Sequence, residues 1–296
     1  MRRVLTAESA RKLDAHMIEN NAIPGILLME NAAFGVFQVA KACAASDDIV
    51  FHVFCGVGNN GGDGFAVARI LKSHGYSLKI YMIGSPEQLK GDAKINAAFF
   101  LQHDHITFIQ SEDFKPLWTK QDIIIDALFG IGLSRDITGV FASVINTINQ
   151  SGCQIIAVDI PSGIATNTGA VLGTAINANY TVTFQYPKPA HFLQPGKSFC
   201  GEISILNIGL ADGFNFDENI KVASRKVSPL TLPKRSPNTH KGSFGTLGVI
   251  VSSENMFGAG FMCVKAALKS GVGLAHLFVP AEKKDAFATA FPEAVL

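Results

Sequence analysis

The 296-residue sequence predicts an α/β fold in which a mostly parallel sheet carries helices on both faces. Two observations predict it. Short, wholly apolar runs alternate with segments of helical periodicity, and several of these runs end in glycine-rich or carboxylate-bearing loops. Strand alternating with helix at this spacing implies βαβ crossovers and a sheet buried on both sides. In chain order, residues 7–20 suit a helix, with Leu13, Met17 and Ile18 on one face and Lys12 and Glu19 elsewhere. Pro24-Gly25 breaks it, and a more apolar helix follows over 26–45. The alternation then runs strand 49–55, helix 62–74, strand 78–83, helix 87–102, strand 106–109, strand 123–128, helix 140–150 and strand 154–160. Strands 180–185 and 202–207 come without an obvious helix between them, so antiparallel edge pairing is expected there. The pattern lapses at 212–217, and Leu232-Pro-Lys-Arg-Ser-Pro237 reads as a linker. A strand (247–251), a helix (257–269) and a strand (274–279) close the chain. This is too little to enclose a core of its own, so it is expected to be a domain fragment.

Composition narrows the function classes. Lys plus Arg (25) nearly cancel Asp plus Glu (24), so no charge imbalance advertises nucleic acid or an anionic membrane as partner. Any anion site must be local. The five cysteines, at 43, 55, 153, 200 and 263, lack CxxC or zinc-like spacing and read as reduced thiols. The N-terminus has no apolar signal core, and no run approaches the roughly 20 apolar residues that span a bilayer. A cytoplasmic protein is expected.

Ligands of a doubly wound sheet bind outside the carboxyl ends of its strands. Three such ends stand out. Gly56-Val-Gly-Asn-Asn-Gly-Gly-Asp-Gly64 joins an apolar strand to a helix, whose free N–H groups suit a phosphate or diphosphate. The plainer reading is a connection that lets a helix pack tightly, but Asn59, Asn60 and Asp63 are more polar than packing requires. The match of Gly56, Gly58 and Gly61 to G-x-G-x-x-G lacks an acid at the end of the second strand, which disfavours a hydride-transferring enzyme. The second end is Asp126-Ala-Leu-Phe-Gly-Ile-Gly132, with Ser134, Arg135 and Asp136 beyond, and the third is Val158-Asp-Ile-Pro-Ser-Gly163. A carboxylate at a buried strand mouth needs a cation, hydrogen bonds or a substrate. For either Asp alone, a helix N-cap serves as well. One Asp among neutral Asn and Ser oxygens suits a monovalent ion better than a divalent one. Lys188, between Pro187 and Pro189, follows the strand at 180–185. A lysine there is usually solvated, but the prolines could aim it at the same mouth.

Met29-Glu-Asn31, the loop from Gly56 to Gly64, Asp126 to Gly132, Asp159-Ile-Pro-Ser-Gly163 and Lys188 together resemble the NAD(P)H-hydrate epimerase family (the YjeF N-terminal domain) over residues 5–212. The resemblance implies a Rossmann-like three-layer α/β/α sandwich, a homodimer, NADHX or NADPHX as substrate and one potassium ion per epimerase domain. It implies that Asn59, Asn60, Gly61, Gly62 and Asp63, with Gly130, Ile131, Gly132, Leu133, Ser134, Arg135 and Asp136, hold the hydrated cofactor. Asn60, Asp126 and Ser162 would ligate potassium, and Asp159 would contact the nicotinamide with Lys188 as its catalytic companion. Ile164-Ala165 replaces the family's more usual Leu-Asp, which removes that second acid.

The tail, with His240-Lys-Gly-Ser-Phe-Gly245, Gly258-Ala259 and the run from Ala266 to Leu274, is similar to the start of the ribokinase-like, ADP- or ATP-dependent NAD(P)H-hydrate dehydratase domain. Ala259 matches a substrate-contact position of that family. The expected organisation is 1–215 epimerase domain, 216–235 linker, and 236–296 an incomplete dehydratase start without dehydratase activity. Two rivals remain: a non-catalytic nucleotide-binding scaffold of the same fold, and an NAD(P)-dependent oxidoreductase.

Overall fold

The computed structural model describes residues 2–20, 22–46, 48–103, 105–209, 221–222, 235–251 and 257–296. The elements in order are β1 (Arg2–Arg3), α1 (Ala7–Glu19), α2 (Gly25–Cys43), β2 (Val50–Cys55), α3 (Asn59–Ser73), β3 (Ser77–Ile83), α4 (Gly91–Leu101), β4 (Ile106–Ile109), β5 (Ile123–Ala127), α5 (Gly139–Asn149), β6 (Gln154–Val158), β7 (Tyr180–Phe184), α6 (Gly196–Phe199), β8 (Glu202–Leu206), β9 (Lys221–Val222), β10 (Thr246–Ile250), α7 (Gly258–Lys269), β11 (Leu274–Phe278) and α8 (Lys284–Ala290). The chain divides into two compact units, Met1–Arg225 and Lys226–Leu296. Most of the expected linker at 216–235 lies outside the described residues.

In the first unit seven strands form one parallel sheet in the order β4-β3-β2-β5-β6-β7-β8. Its two-residue period sorts the side chains into layers. Phe51, Val53 and Cys55 of β2 face one core with Val36 and Phe37 of α2, Phe65 and Leu71 of α3, and Phe100 of α4. Phe54, Tyr81 and Ile124 face the opposite core, closed by Val144, Ile145 and Ile148 of α5. This is the expected three-layer sandwich. Burying such an aliphatic or aromatic side chain contributes about 1.5–3 kcal/mol, so both faces are strongly held to the sheet. By length and apolar composition alone, α2 is able to cross a membrane. It is instead a core helix, with Leu28, Met29, Ala32, Ala33, Val36, Phe37 and Ala40 buried.

Several boundaries differ from expectation. Helix α3 starts at Asn59, not near residue 62, because Gly58 serves as its N-cap and brings both asparagines into the first turn. The helix expected over 87–102 is a 3₁₀ turn (Pro86–Gln88) followed by α4, whose preceding Lys90 is extended. Strands β7 and β8 pair parallel, not antiparallel. A parallel crossover needs chain length more than it needs a helix. The connection from β7 to β8 meets that need with the 3₁₀ turn Pro189–His191 and the four-residue α6: Leu193 N donates to Pro189 O at 3.0 Å and Lys197 N to Leu193 O at 2.9 Å.

In the second unit β10 and β11 pair parallel, with α7 and α8 against them. It gathers a small buried cluster of its own, Val249, Val264, Leu277, Phe287 and Phe291, so the expectation that it encloses no core is corrected. Leu247, Ile250, Met262 and Phe278 remain exposed.

Candidate functional site

From β2 the chain steps outward to β3 and β4, then returns to place β5 on the other side of β2 and continues to β8. Such a reversal opens a crevice beyond the strand ends, where ligands of this fold class bind. A cavity of about 620 Å³ lies there, within the range of small-molecule sites.

The β2–α3 loop forms one wall. Gly56 N donates to Ala127 O at 3.0 Å, tying the loop to the end of β5. A Cβ on Gly56 would lie 2.1 Å from Leu128 O, and one on Gly61 would lie 1.9 Å from Gly56 O. Only glycine permits these approaches, which turn the first turn of α3 back over its own strand. Gly58 offers no side-chain cap, so the first amides of α3 remain available to an anion. Gly58, Asn59, Asn60 and Asp63 line the cavity. Gly61 and Gly62 do not. Gly62 packs on Ala93 and Met29, and for these two glycines the plainer, packing role holds.

Gly130, Ile131, Gly132, Leu133, Ser134 and Arg135 form a second wall, with Arg11 reaching from α1 to donate to Ile131 O at 3.1 Å. Asp136 is exposed and stands outside the lining. Ala259 belongs to the other unit, exposed in the first turn of α7.

Asp126 and Asp159 cap no helix. Asp126 is fully buried within β5. Its Oδ1 accepts from Ser162 Oγ at 2.6 Å and Leu128 N at 3.2 Å, and its Oδ2 accepts from Ser162 N at 2.8 Å. Burial still pushes its carboxyl up to about 6, against the pull of those bonds. Ser162 Oγ accepts from Phe129 N at 2.9 Å, and the Phe129 carbonyl lies 3.3 Å from the same oxygen. The Asn60 Nδ2 is buried and has no partner among the described residues. Turning that amide over would present an oxygen instead. Asp126, Ser162, Asn60 and the Phe129 carbonyl would then make an all-oxygen set with one formal charge, which fits a monovalent cation.

Asp159 follows β6 in the left-handed region, φ +65°, an uncommon conformation that Asp tolerates better than most residues. Lys188 is not the solvated surface charge usual at a strand end; it is 4% exposed. Its Nζ donates to Asp159 Oδ1 at 2.5 Å, Thr183 Oγ1 at 2.9 Å and Phe184 O at 3.5 Å, so all three ammonium protons are directed at protein oxygens. Thr183 Oγ1 also donates to Asp159 Oδ1, at 2.8 Å. Both anchors hold the same carboxylate oxygen, and among the described residues no protein donor meets Oδ2. Asp159 and Lys188 both line the cavity.

Three further carboxyls line this cavity, Asp14, Asp63 and Asp92. Burial raises Asp63 well above the usual carboxylate range, reinforced by the charges of Asp159 and Asp14 and opposed by Lys188. Asp14, on α1, is exposed, yet the protein around it raises its carboxyl to about 6. Sequence reasoning missed Asp14, Thr183 and His191. The one local sign of Asp14 is an acid beside the apolar positions Ala10, Leu13 and Met17. For His191 it is a histidine three residues past Lys188 in a proline-fixed turn.

Residues 25–190 match the family described as YjeF-related protein N-terminus. The chain is similar to an NAD(P)H-hydrate epimerase of Lentilactobacillus buchneri, 36% identical over 73% of this chain and 99% of that protein. It is also similar to a bifunctional NAD(P)H-hydrate repair enzyme of Thermofilum pendens, 36% identical over 93% of this chain and 53% of that protein. The chain thus spans about half the length of the bifunctional relatives it matches. The crystal structure of yeast ynu0 shares the fold, with a TM-score of 0.56 at 21% identity over 73% of this chain and 97% of that one. With the family match covering more than half of its residues, and an epimerase relative matched along nearly its whole length, the chain belongs to the YjeF-related N-terminal family.

Proposed function

We propose that the chain epimerises NAD(P)H hydrates, interconverting the R and S forms of NADHX and NADPHX. The carrying observation is the Asp159–Lys188 pair buried beside an uncapped helix N-terminus in one cavity. In this reading the amides at Gly58–Asn60 take the diphosphate, and the loop from Gly130 to Arg135 closes over the dinucleotide.

The hydrated ring carries a hydroxyl on C6. Inversion requires that C–O bond to break, the ring nitrogen to share its lone pair with C6, and water to add from the other face. Asp159, fixed through Oδ1, keeps Oδ2 available to stabilise the cationic ring and accept the proton of the incoming water. Lys188 orients Asp159; its protons are already committed. Asp63, whose protonated form burial favours, donates to the departing hydroxyl, giving water. The proton returns to Asp63 through cavity water. One water leaves and one enters.

Pure R epimer mixed with the protein in potassium buffer should convert to an R/S mixture faster than it does alone, followed by chromatography. Adding ADP or ATP should leave that mixture undehydrated, because we assign no dehydratase activity to these 296 residues. A rate equal to the spontaneous one refutes the epimerase reading; nucleotide-dependent recovery of NADH refutes the second assignment.

Asn60, Asp126 and Ser162, with the Phe129 carbonyl, would hold potassium, whose charge would steady the carboxylate and loops behind the diphosphate site. Without a cation, burial of the ionised Asp126 costs stability that is lost as pH rises through about 6. Potassium chloride should therefore raise the melting temperature over equal tetramethylammonium chloride above that pH. The gain should fade below it, where Asp126 carries a proton. Equal melting temperatures in both salts at every pH would remove the site.

A further inference from the structure

We infer that His191 is a positioning residue that clamps the backbones of Asp159 and Lys188 into one catalytic unit. The inference rests on the epimerase reading and adds a residue to it. His191 sits in the 3₁₀ turn Pro189–His191 directly after Lys188 and is 1% exposed. Its ring is held at both nitrogens. Lys188 N donates to Nδ1 at 3.1 Å, and Nε2 lies 3.0 Å from Asp159 O. Because Nδ1 accepts a backbone N–H, it carries no proton. Nε2 must carry it and donate to the Asp159 carbonyl.

The consequence follows from where those bonds fall. Asp159 is held left-handed, and its own N–H donates to Val182 O at 2.8 Å, which fixes the residue from the β7 side. The His191 bond fixes the other end of the same residue. Rotation about Asp159 is therefore opposed on both sides, and its carboxylate keeps its place in the cavity lining. The same ring fixes the start of the turn from which the Lys188 side chain reaches back to Oδ1. A charged imidazole would lose the bond from Lys188 N. Burial and the nearby ammonium pull His191 down to about 4, so it stays neutral and in one tautomer through the working range.

Three variants separate the bonds. His191→Phe removes both. His191→Asn keeps an acceptor near the Nδ1 position but loses the donor to Asp159 O. His191→Gln places an N–H near the Nε2 position and restores that donor. Turnover should fall roughly 10- to 100-fold in the Phe and Asn variants, the scale of a small misplacement of catalytic groups, with KM nearly unchanged. The Gln variant should recover most of kcat. Gln no better than Asn at matched melting temperature, or wild-type kcat in all three, overturns the inference. Should the Phe variant fail to fold, the Asn and Gln pair still decides. A two-bond ¹H–¹⁵N spectrum of the wild-type imidazoles gives a substrate-free readout. The Nε2–H tautomer is expected above about pH 4; an Nδ1–H tautomer or an imidazolium at neutral pH overturns the clamp. A wild-type chain without epimerase activity refutes the proposed function, and the clamp then stands or falls on that spectrum.

Discussion

Asp159→Asn is expected to lower epimerisation turnover by roughly 10²- to 10⁴-fold, the usual weight of a general acid–base group. The structure adds a second expected effect. The side chains of Lys188 and Asp159 are 4% and 11% exposed, so removing one charge leaves the other desolvated and unpaired. Breaking such a pair costs about 3–5 kcal/mol, and the variant should melt well below the parent. Asp159→Asn combined with Lys188→Met separates the two effects. Replacing both members by uncharged groups of similar size should recover much of the melting temperature, while turnover stays low. Kinetics and thermal denaturation on the three proteins check this. Undiminished turnover in Asp159→Asn would remove the residue from catalysis, and an unchanged melting temperature would show that the pair is not buried in solution.

Gly61→Ala should damage the fold more than its single methyl suggests. The new Cβ would have to sit 1.9 Å from Gly56 O and 2.7 Å from Gly56 C, and neither backbone atom is able to yield without moving the tie between Gly56 N and Ala127 O. Overpacking of this kind costs roughly 3 kcal/mol. Gly58→Ala makes the contrast. Its φ of −92° suits any residue, and an added Cβ meets nothing within 4 Å. The loss of a favourable N-cap should cost about 1 kcal/mol or less. Its methyl would instead intrude on the cavity and raise KM. Melting temperatures show the first effect and steady-state kinetics the second. If Gly61→Ala melts with the parent, the close approach of α3 to β2 is wrong.

Much of this was legible in the residues. Ile49 to Cys55 read as one apolar run because a parallel strand buried on both faces must satisfy two cores at once, Phe51, Val53 and Cys55 facing one and Phe54 the other. Gly56 and Gly61 announced a close approach, and Asp126 and Asp159 stood at strand ends where carboxylates need partners. The lysine was legible as a candidate but not as a partner. Lys188 and Asp159 are 29 positions apart, and no local pattern specifies that one ammonium will spend its protons on one carboxylate oxygen, a threonine and a carbonyl. The pairing of β7 with β8 departs from expectation for a related reason. A 3₁₀ turn and the four-residue α6 are too short to leave helical periodicity in the sequence, yet they span a parallel crossover as well as a long helix does.

Sequence alone determined the elements, the two-faced sheet and the chemistry available at its strand ends, because burial and backbone sterics act over a few residues and mark each segment. Strand order, the oxygen of Asp159 left free, the arrival of Asp14 at the cavity and of His191 behind Asp159 came with tertiary packing alone. Those are contacts between distant segments. Their energy depends on geometry that no short stretch of chain contains.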